Sequence, residues 1–134
     1  LFAGTGALGF EALSRGAAHV TFGEAHRPTA EALRGAARTR GRADRTTVVA
    51  APAERAARAV AGRYDLVFAD PPYAQPYPGA TFATLRERGA IDERSLIVYE
   101  HSAREPAPDD PAFPVQRTAA YGEVALAFLT PVPA

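Results

Sequence analysis

The sequence predicts an α/β fold, a doubly wound and mostly parallel sheet closed by an antiparallel hairpin at its C-terminal end. Three observations predict it. Short β-rich runs alternate with helix-compatible stretches through the first half, the pattern of βαβ units. A glycine turn, Gly4-Thr5-Gly6-Ala7-Leu8-Gly9, joins the end of a strand to the start of a helix. Two β-rich runs near the C-terminal end flank a Tyr121-Gly122 turn. With 134 residues, 47% hydrophobic and 22% charged, the chain suits one domain, residues 1–134, with a core and a single ligand cleft.

Leu1-Phe2 reads as the end of a first strand. The chain opens there on apolar residues without a Met, so the domain is expected to be incomplete at its N-terminus. Gly6 to Arg15 carries Leu8, Ala12 and Leu13 at helical spacing and stops at Gly16, a residue suited to a left-handed cap. His19 to Gly23 is a strand. Arg27 to about Arg38 is an Ala-rich helix with Leu33 inward and Pro28 tolerated in its first turn. Thr46 to Ala50 is a strand, and Ala53 to Ala61 a short helix ending at Gly62. Tyr64 to Ala69 is a strand whose unbroken apolar run suits a sheet covered on both faces. Four prolines between Pro71 and Pro78 make that segment a loop. Gly79 to Arg88 is a helix and Leu96 to Glu100 a strand; after a second Pro-rich loop, Pro106 to Pro114, the runs Val115 to Ala120 and Val124 to Thr130 form the hairpin. Parallel strands followed by such a hairpin are the layout of the seven-stranded, Rossmann-like class I methyltransferase sheet, here with its first strand truncated.

Composition narrows the function classes. The absence of Cys excludes a disulfide scaffold, Cys-ligated zinc and a thiol nucleophile. The longest apolar runs, such as Val124 to Leu129, are strand-length, so no membrane helix is expected. His19, His26 and His101 have no partner at metal-ligand or triad spacing, and no metal site is expected. All fifteen basic residues are Arg, which fits coding bias as well as any function. The net charge of zero hides an asymmetry: ten Arg against five acids up to Arg63, and the reverse beyond it. A nucleic-acid partner is thus permitted but not announced.

The glycine turn is formally a G-x-G-x-x-G, and Glu24 follows Gly4 by twenty residues at the end of the next strand. Its physics serves any adenosine-bearing cofactor. Glycines let the backbone pass close to the ligand, and a carboxylate after the second strand accepts both ribose hydroxyls. The motif therefore places a nucleoside cofactor without naming it.

Asp70-Pro71-Pro72-Tyr73 follows the Tyr64 to Ala69 strand, at the carboxyl edge where open α/β sheets bind ligands. Proline nitrogens donate nothing, so the Asp70 carboxylate and the Pro71 carbonyl offer acceptors alone. An exocyclic amino group of a base presents two N–H donors. Two acceptors on those donors hold the nitrogen and free its lone pair to attack a sulfonium methyl. Tyr73 would stack on the base, worth roughly 1–3 kcal/mol, and a base inside a duplex would have to flip out to reach it. A dehydrogenase reading explains the glycines and leaves this loop without a task, whereas methyl transfer uses both.

The stretch Leu1-Phe2-Ala3-Gly4-Thr5-Gly6-Ala7-Leu8-Gly9-Phe10-Glu11-Ala12-Leu13-Ser14-Arg15-Gly16-Ala17, together with Asp70-Pro71-Pro72-Tyr73, closely resembles the bacterial 16S ribosomal RNA guanine-N2-methyltransferases of the RsmD family. The resemblance runs from residue 1 to about Leu129. It implies methyl transfer from S-adenosylmethionine to the 2-amino group of a guanine in 16S rRNA, or in the assembling small ribosomal subunit, by a cytoplasmic enzyme, expected to be monomeric. By matching position, it implies that Phe2, Ala3, Gly4, Thr5 and Gly6 line the methionine part of the cofactor, Glu24 the ribose and Asp70 to Tyr73 the target amine. It also places Ala53 where the family brings a backbone group near the adenine. Two positions depart from the family pattern: Pro52 replaces a polar residue before Ala53, and Gly23 replaces an apolar residue before Glu24.

The dense basic run Arg34, Arg38, Arg40, Arg42 and Arg45 invites a phosphate-track reading, but a helix leaving the active edge would carry it toward the opposite edge. A solvated or remote RNA-contacting surface is expected instead. Glu100-His101 is a candidate cleft-edge contact, and Tyr121-Gly122 reads as a plain turn. The alternatives are a DNA adenine or cytosine amino-methyltransferase, a non-catalytic RNA-binding subunit of the same fold, and, last, an NAD-dependent dehydrogenase.

Overall fold

The computed structural model describes residues 1–72 and 75–133, which form two compact units, Leu1–Val60 and Ala61–Ala134. Each is built from short, locally determined elements.

In the first unit, α1 (Ala7–Ser14) starts from Gly6, whose φ of 79° breaks the chain direction just before the helix. It stops as its glycine predicts. Gly16 is left-handed at φ 106°, and the Ala17 N–H reaches back to Ala12 O at 3.0 Å, satisfying a carbonyl of the last turn. Strand β1 (Val20–Gly23) pairs in parallel with β2 (Thr46–Val49), Val20 opposite Thr46 and Gly23 opposite Val49. Between them α2 (Arg27–Thr39) takes Pro28 in its first turn and buries Ala30, Leu33 and Ala37, a stripe at helical spacing. A 3-10 turn, Ala43–Arg45, leads into β2, and α3 (Ala53–Ala59) follows it.

Phe10, Leu13, Phe22, Leu33 and Ala37 form the core of this unit, with the Phe10 and Phe22 rings 5.1 Å apart. Gly9 makes that contact possible. A Cβ on Gly9 would lie 2.2 Å from the Phe22 ring, so the third glycine of the motif sets how closely α1 approaches β1. Gly23 has a similar role, since its Cβ would stand 3.2 Å from that of Ala56 on α3. That close approach explains why a glycine replaces the apolar residue expected before Glu24.

The second unit contains β3 (Leu66–Ala69), α4 (Gly79–Glu87), β4 (Leu96–Ser102), β5 (Val115–Tyr121) and β6 (Val124–Leu129). Its sheet has the order β3-β4-β6-β5, with β3 and β4 parallel and the other neighbours antiparallel. Phe82, Leu85, Ile91, Ile97, Phe113, Ala127 and Leu129 are buried. Tyr121 pairs with Val124, so the hairpin turns on Gly122, at φ 63°, and Glu123.

Two expectations need correction. Leu1-Phe2 forms no strand, and only the Ala3 N–H, 3.1 Å from Gly23 O, makes a ladder-like bond there. The described residues hold six strands, two in the sheet of the first unit and four in that of the second. Strand β3 is also not covered on both faces: Leu66 is 42% exposed, and Val67 and Phe68 are half-buried. Among the described residues of this unit, β3 pairs with β4 alone.

Gly9→Ala drives a methyl into the Phe22 ring, and overpacking of this kind costs about 1–3 kcal/mol. Urea denaturation should show the loss, and a midpoint equal to that of the parent protein would refute the packing role of Gly9.

Candidate functional site

The glycine turn of the first unit is a backbone structure held by a carboxylate. Gly4 is left-handed at φ 56°, and a Cβ built there would meet no atom within 4 Å, so the turn faces open space. Phe2 also has a positive φ, 57°, the one such non-glycine residue among those described. Thr5 is exposed and Gly6 buried, where its Cβ would collide with Leu33 at 2.5 Å and Phe10 at 2.9 Å.

Glu24, one residue beyond β1, accepts the Gly4 N–H on Oε1 at 2.9 Å and the His26 N–H on Oε2 at 2.8 Å. The carboxylate therefore joins the glycine turn to the start of α2. Each oxygen keeps a second lone pair, so these two bonds leave it able to accept ribose hydroxyls as well. The turn, the open space over Gly4 and this acceptor fit a nucleoside-bearing cofactor. Ala53 is the first residue of α3, where the leading amides of a helix have no intrahelical partner.

In the second unit, Asp70 is exposed directly after β3, Pro71 is half-buried and Pro72 exposed. The Gln75 N–H donates to Pro72 O at 3.1 Å, which leaves the Pro71 carbonyl as the proline acceptor beside Asp70. Tyr73, the expected stacking residue, lies outside the described residues. Farther along the loop Tyr77 is anchored: its hydroxyl donates to Asp110 Oδ2 at 3.1 Å, and its ring meets those of Phe82 and Tyr99 edge-on at 5.6 and 5.3 Å. Burial and the Asp110 charge push the Tyr77 phenol well above its ordinary value.

Sequence reasoning did not connect Asp70 with Glu100. The register sets Ala69 opposite Tyr99, so Asp70 and Glu100 are the next residues on neighbouring strands, and burial first, then Asp70, raises the Glu100 carboxyl above the usual value. Next to it, His101 stacks on Tyr99 at 5.3 Å, its Nδ1 is 2.8 Å from Ser102 O, and its Nε2 is buried without a partner. The signal that could reveal the carboxyl pair is the strand register, which no local pattern carries.

Several tempting features have structural tasks. Arg45 donates to the carbonyls of Leu13, Ala17 and Ala18, closing the end of α1, and Arg34 pairs with Glu31 and donates to Val48 O. That removes two members of the basic run. Among the described residues Arg38, Arg40 and Arg42 form no ion pair, and Arg40 lies over the Phe10 ring at 4.7 Å. A hollow of about 580 Å³ beside them, lined by Ala7, Phe10, Glu11, Ser14, Arg40 and Arg42, contains none of the residues expected to hold a cofactor. No group of three or more His, Cys, Asp or Glu among the described residues could hold a metal ion, and no helix there is long and apolar enough to cross a membrane.

A family model described as conserved hypothetical protein 95 matches residues 1–130. A Bacillus subtilis protein named "Putative rRNA methyltransferase YlbH" is 33% identical over 112 residues; the match covers 81% of this chain, and the chain spans 61% of the length of that curated relative. Among solved structures, "Putative methyltransferase yhhF from Escherichia coli" is 30% identical with a TM-score of 0.85, covering 99% of this chain and 74% of that one. A Haemophilus influenzae protein described as a "putative methylase" is 26% identical with a TM-score of 0.83, covering 98% of this chain and 83% of its own. The α/β methyltransferase fold is common to these chains.

Glu24→Ala leaves the exposed Gly4 and His26 amides to water, a loss of about 1 kcal/mol on the scale of a net hydrogen bond. Thermal unfolding should register it, and amide exchange at Gly4 and His26 should quicken. Unchanged exchange at both amides would show that the carboxylate does not hold the turn.

Proposed function

The chain belongs to the RsmD family, whose model is described as conserved hypothetical protein 95, and on that premise we propose that it carries the catalytic residues of an S-adenosylmethionine-dependent rRNA methyltransferase. The acceptor in this reading is the exocyclic N2 amino group of a guanine in 16S rRNA, free or in an assembling small subunit. S-adenosylmethionine, when bound, supplies an electrophilic methyl group on a sulfonium sulfur. Phe2, Ala3, Gly4, Thr5 and Gly6 line its methionine part, Glu24 takes the ribose hydroxyls and the Ala53 backbone stands near the adenine.

The observation that carries the reading is the acceptor-only run after β3. Asp70 is exposed there, and Gln75 engages the Pro72 carbonyl, so Asp70 and Pro71 are the acceptors at the strand end. They take the two N–H donors of the amine, hold its nitrogen, and direct its lone pair at the methyl carbon. The bound cofactor would supply the methyl carbon to that nitrogen and would keep the electrons of its carbon–sulfur bond as a neutral thioether. The proton released from nitrogen leaves through the Asp70 carboxylate. Tyr73 stacks on the base and fixes its plane.

Labelled S-adenosylmethionine offered with unmodified small-subunit rRNA, duplex DNA and free nucleosides tests the assignment, using the full-length protein that carries this chain. Methyl should appear on guanine N2 of the rRNA. Asp70→Ala should lower kcat about 100–1000-fold, the usual loss of an electrostatic transition-state partner, with little change in cofactor affinity. Label entering DNA instead would replace the acceptor class, and full activity in Asp70→Ala would end the catalytic assignment.

A further inference from the structure

The register of the second sheet brings a second carboxyl group to the acceptor loop. β3 and β4 run parallel with Ala69 opposite Tyr99, so the residues that follow, Asp70 and Glu100, emerge side by side. Neighbours across a parallel ladder share a face, and successive side chains alternate. Glu100 therefore lies on the side of Asp70, while Tyr99 and His101 occupy the other face, where their rings stack. Across the sheet from Glu100 stands Leu126 on β6, which carries no charge. Glu105 acts on Tyr99, and among the described residues Asp70 is the charged group acting on Glu100.

A carboxylate has acceptors and no donor, so a hydrogen bond between two carboxyl groups requires a proton on one of them. Glu100 is half-buried within the ladder and Asp70 is exposed beyond it. Burial disfavours the charged form, so the proton belongs on Glu100. The Glu100 carboxyl is accordingly raised above its usual value.

We propose that Glu100 is a positioning residue for amine methylation: its protonated carboxyl donates to one oxygen of Asp70 and leaves the other oxygen aimed at the substrate N–H. The inference rests on the reading of Asp70 as the amine acceptor and adds the group that orients it. Its pH sense follows from the proton. As pH rises through the raised Glu100 value, the bond becomes a repulsion between two carboxylates, and Asp70 turns away from its working position. Folding has the same sign. The native state holds this proton more tightly than the unfolded chain does, so its contribution to stability is full below the unfolded value of 4.5 and is lost as pH rises through the folded one.

Rates of methyl transfer to small-subunit rRNA across pH, in the full-length protein, separate the variants. Glu100→Ala should lower kcat about 100-fold, the scale of a misaligned catalytic group, without changing KM for the cofactor. Glu100→Gln, whose amide donates at every pH, should stay within about threefold of the parent and lack its alkaline decline. Equal damage in both variants, or superimposable pH profiles of the parent and Glu100→Gln, would overturn the proposal. Carboxyl-carbon NMR of the same protein reads the pair without any substrate. The Glu100 resonance should titrate above the ordinary glutamate range and move down in Asp70→Asn; titration within that range would refute the shared proton even if methylation is observed. A protein that shows the raised titration yet methylates no acceptor keeps the pair and loses the parent reading.

Discussion

The parallel register of β3 against β4 is the constraint on which the second unit depends. Strand β3 is four residues long and, among the described residues of its unit, pairs with β4 alone, so the ladder by itself holds it weakly. The start of the pair is clamped. Arg63 presents a fork to Asp92, with Nε 2.7 Å from Oδ2 and Nη2 2.9 Å from Oδ1. The buried Ser95 hydroxyl donates to Tyr64 O at 2.7 Å and accepts the Asp92 N–H at 3.1 Å. Leu96 N–H donates to Asp65 O at 2.9 Å and begins the ladder. A slip of one residue would exchange the faces of β3 and separate Asp70 from Glu100, because side chains alternate with period two. Clamps at one end of the strand therefore fix the chemistry at the other.

The first unit obtains order differently. Its glycine turn has little side-chain packing to stabilise it, since Gly4 faces open space. Glu24 supplies the missing organisation through two backbone amides, one from the turn and one from the start of α2. A carboxylate suited to ribose hydroxyls is thereby also part of the scaffold that presents it. Gly9 and Gly23 complete the arrangement from behind, Gly9 letting α1 approach β1 more closely than any side chain permits and Gly23 easing a tight contact with α3.

Helices and strands were legible because their signals are local. Gly16 ends α1, Pro28 opens α2, and the stripe Ala30, Leu33 and Ala37 faces the core, each within a few residues of the feature that announces it. The glycine turn and the acceptor loop were legible for the same reason. Pairing was not. The Glu100 partner lies thirty residues away in sequence and becomes visible only when two strands align. The basic run misleads in a related way, because Arg34 and Arg45 look solvated in sequence yet reach carbonyls on β2 and at the end of α1. The apolar run of β3 suggested cover on both faces, but composition reports hydrophobicity and not how many neighbours a strand acquires. The expected first strand is absent from Leu1-Phe2 because Phe2 is left-handed rather than extended.

The two carboxylate-centred arrangements differ in what sustains them. Glu24 accepts from N–H groups that are donors at any pH, so its contacts need no proton to exist. In the proposed pair, by contrast, Asp70 and Glu100 share one proton, and they stand at the end of β3 rather than inside a turn. In the proposed reaction, a proton-dependent orienting group suits an acceptor that takes an amine N–H and lets the product go after that nitrogen has lost a proton. Replacing both carboxyl groups by neutral amides would preserve the contact and abolish its response to protons, which marks the shared proton, and not shape, as the property that the pairing of β3 with β4 maintains.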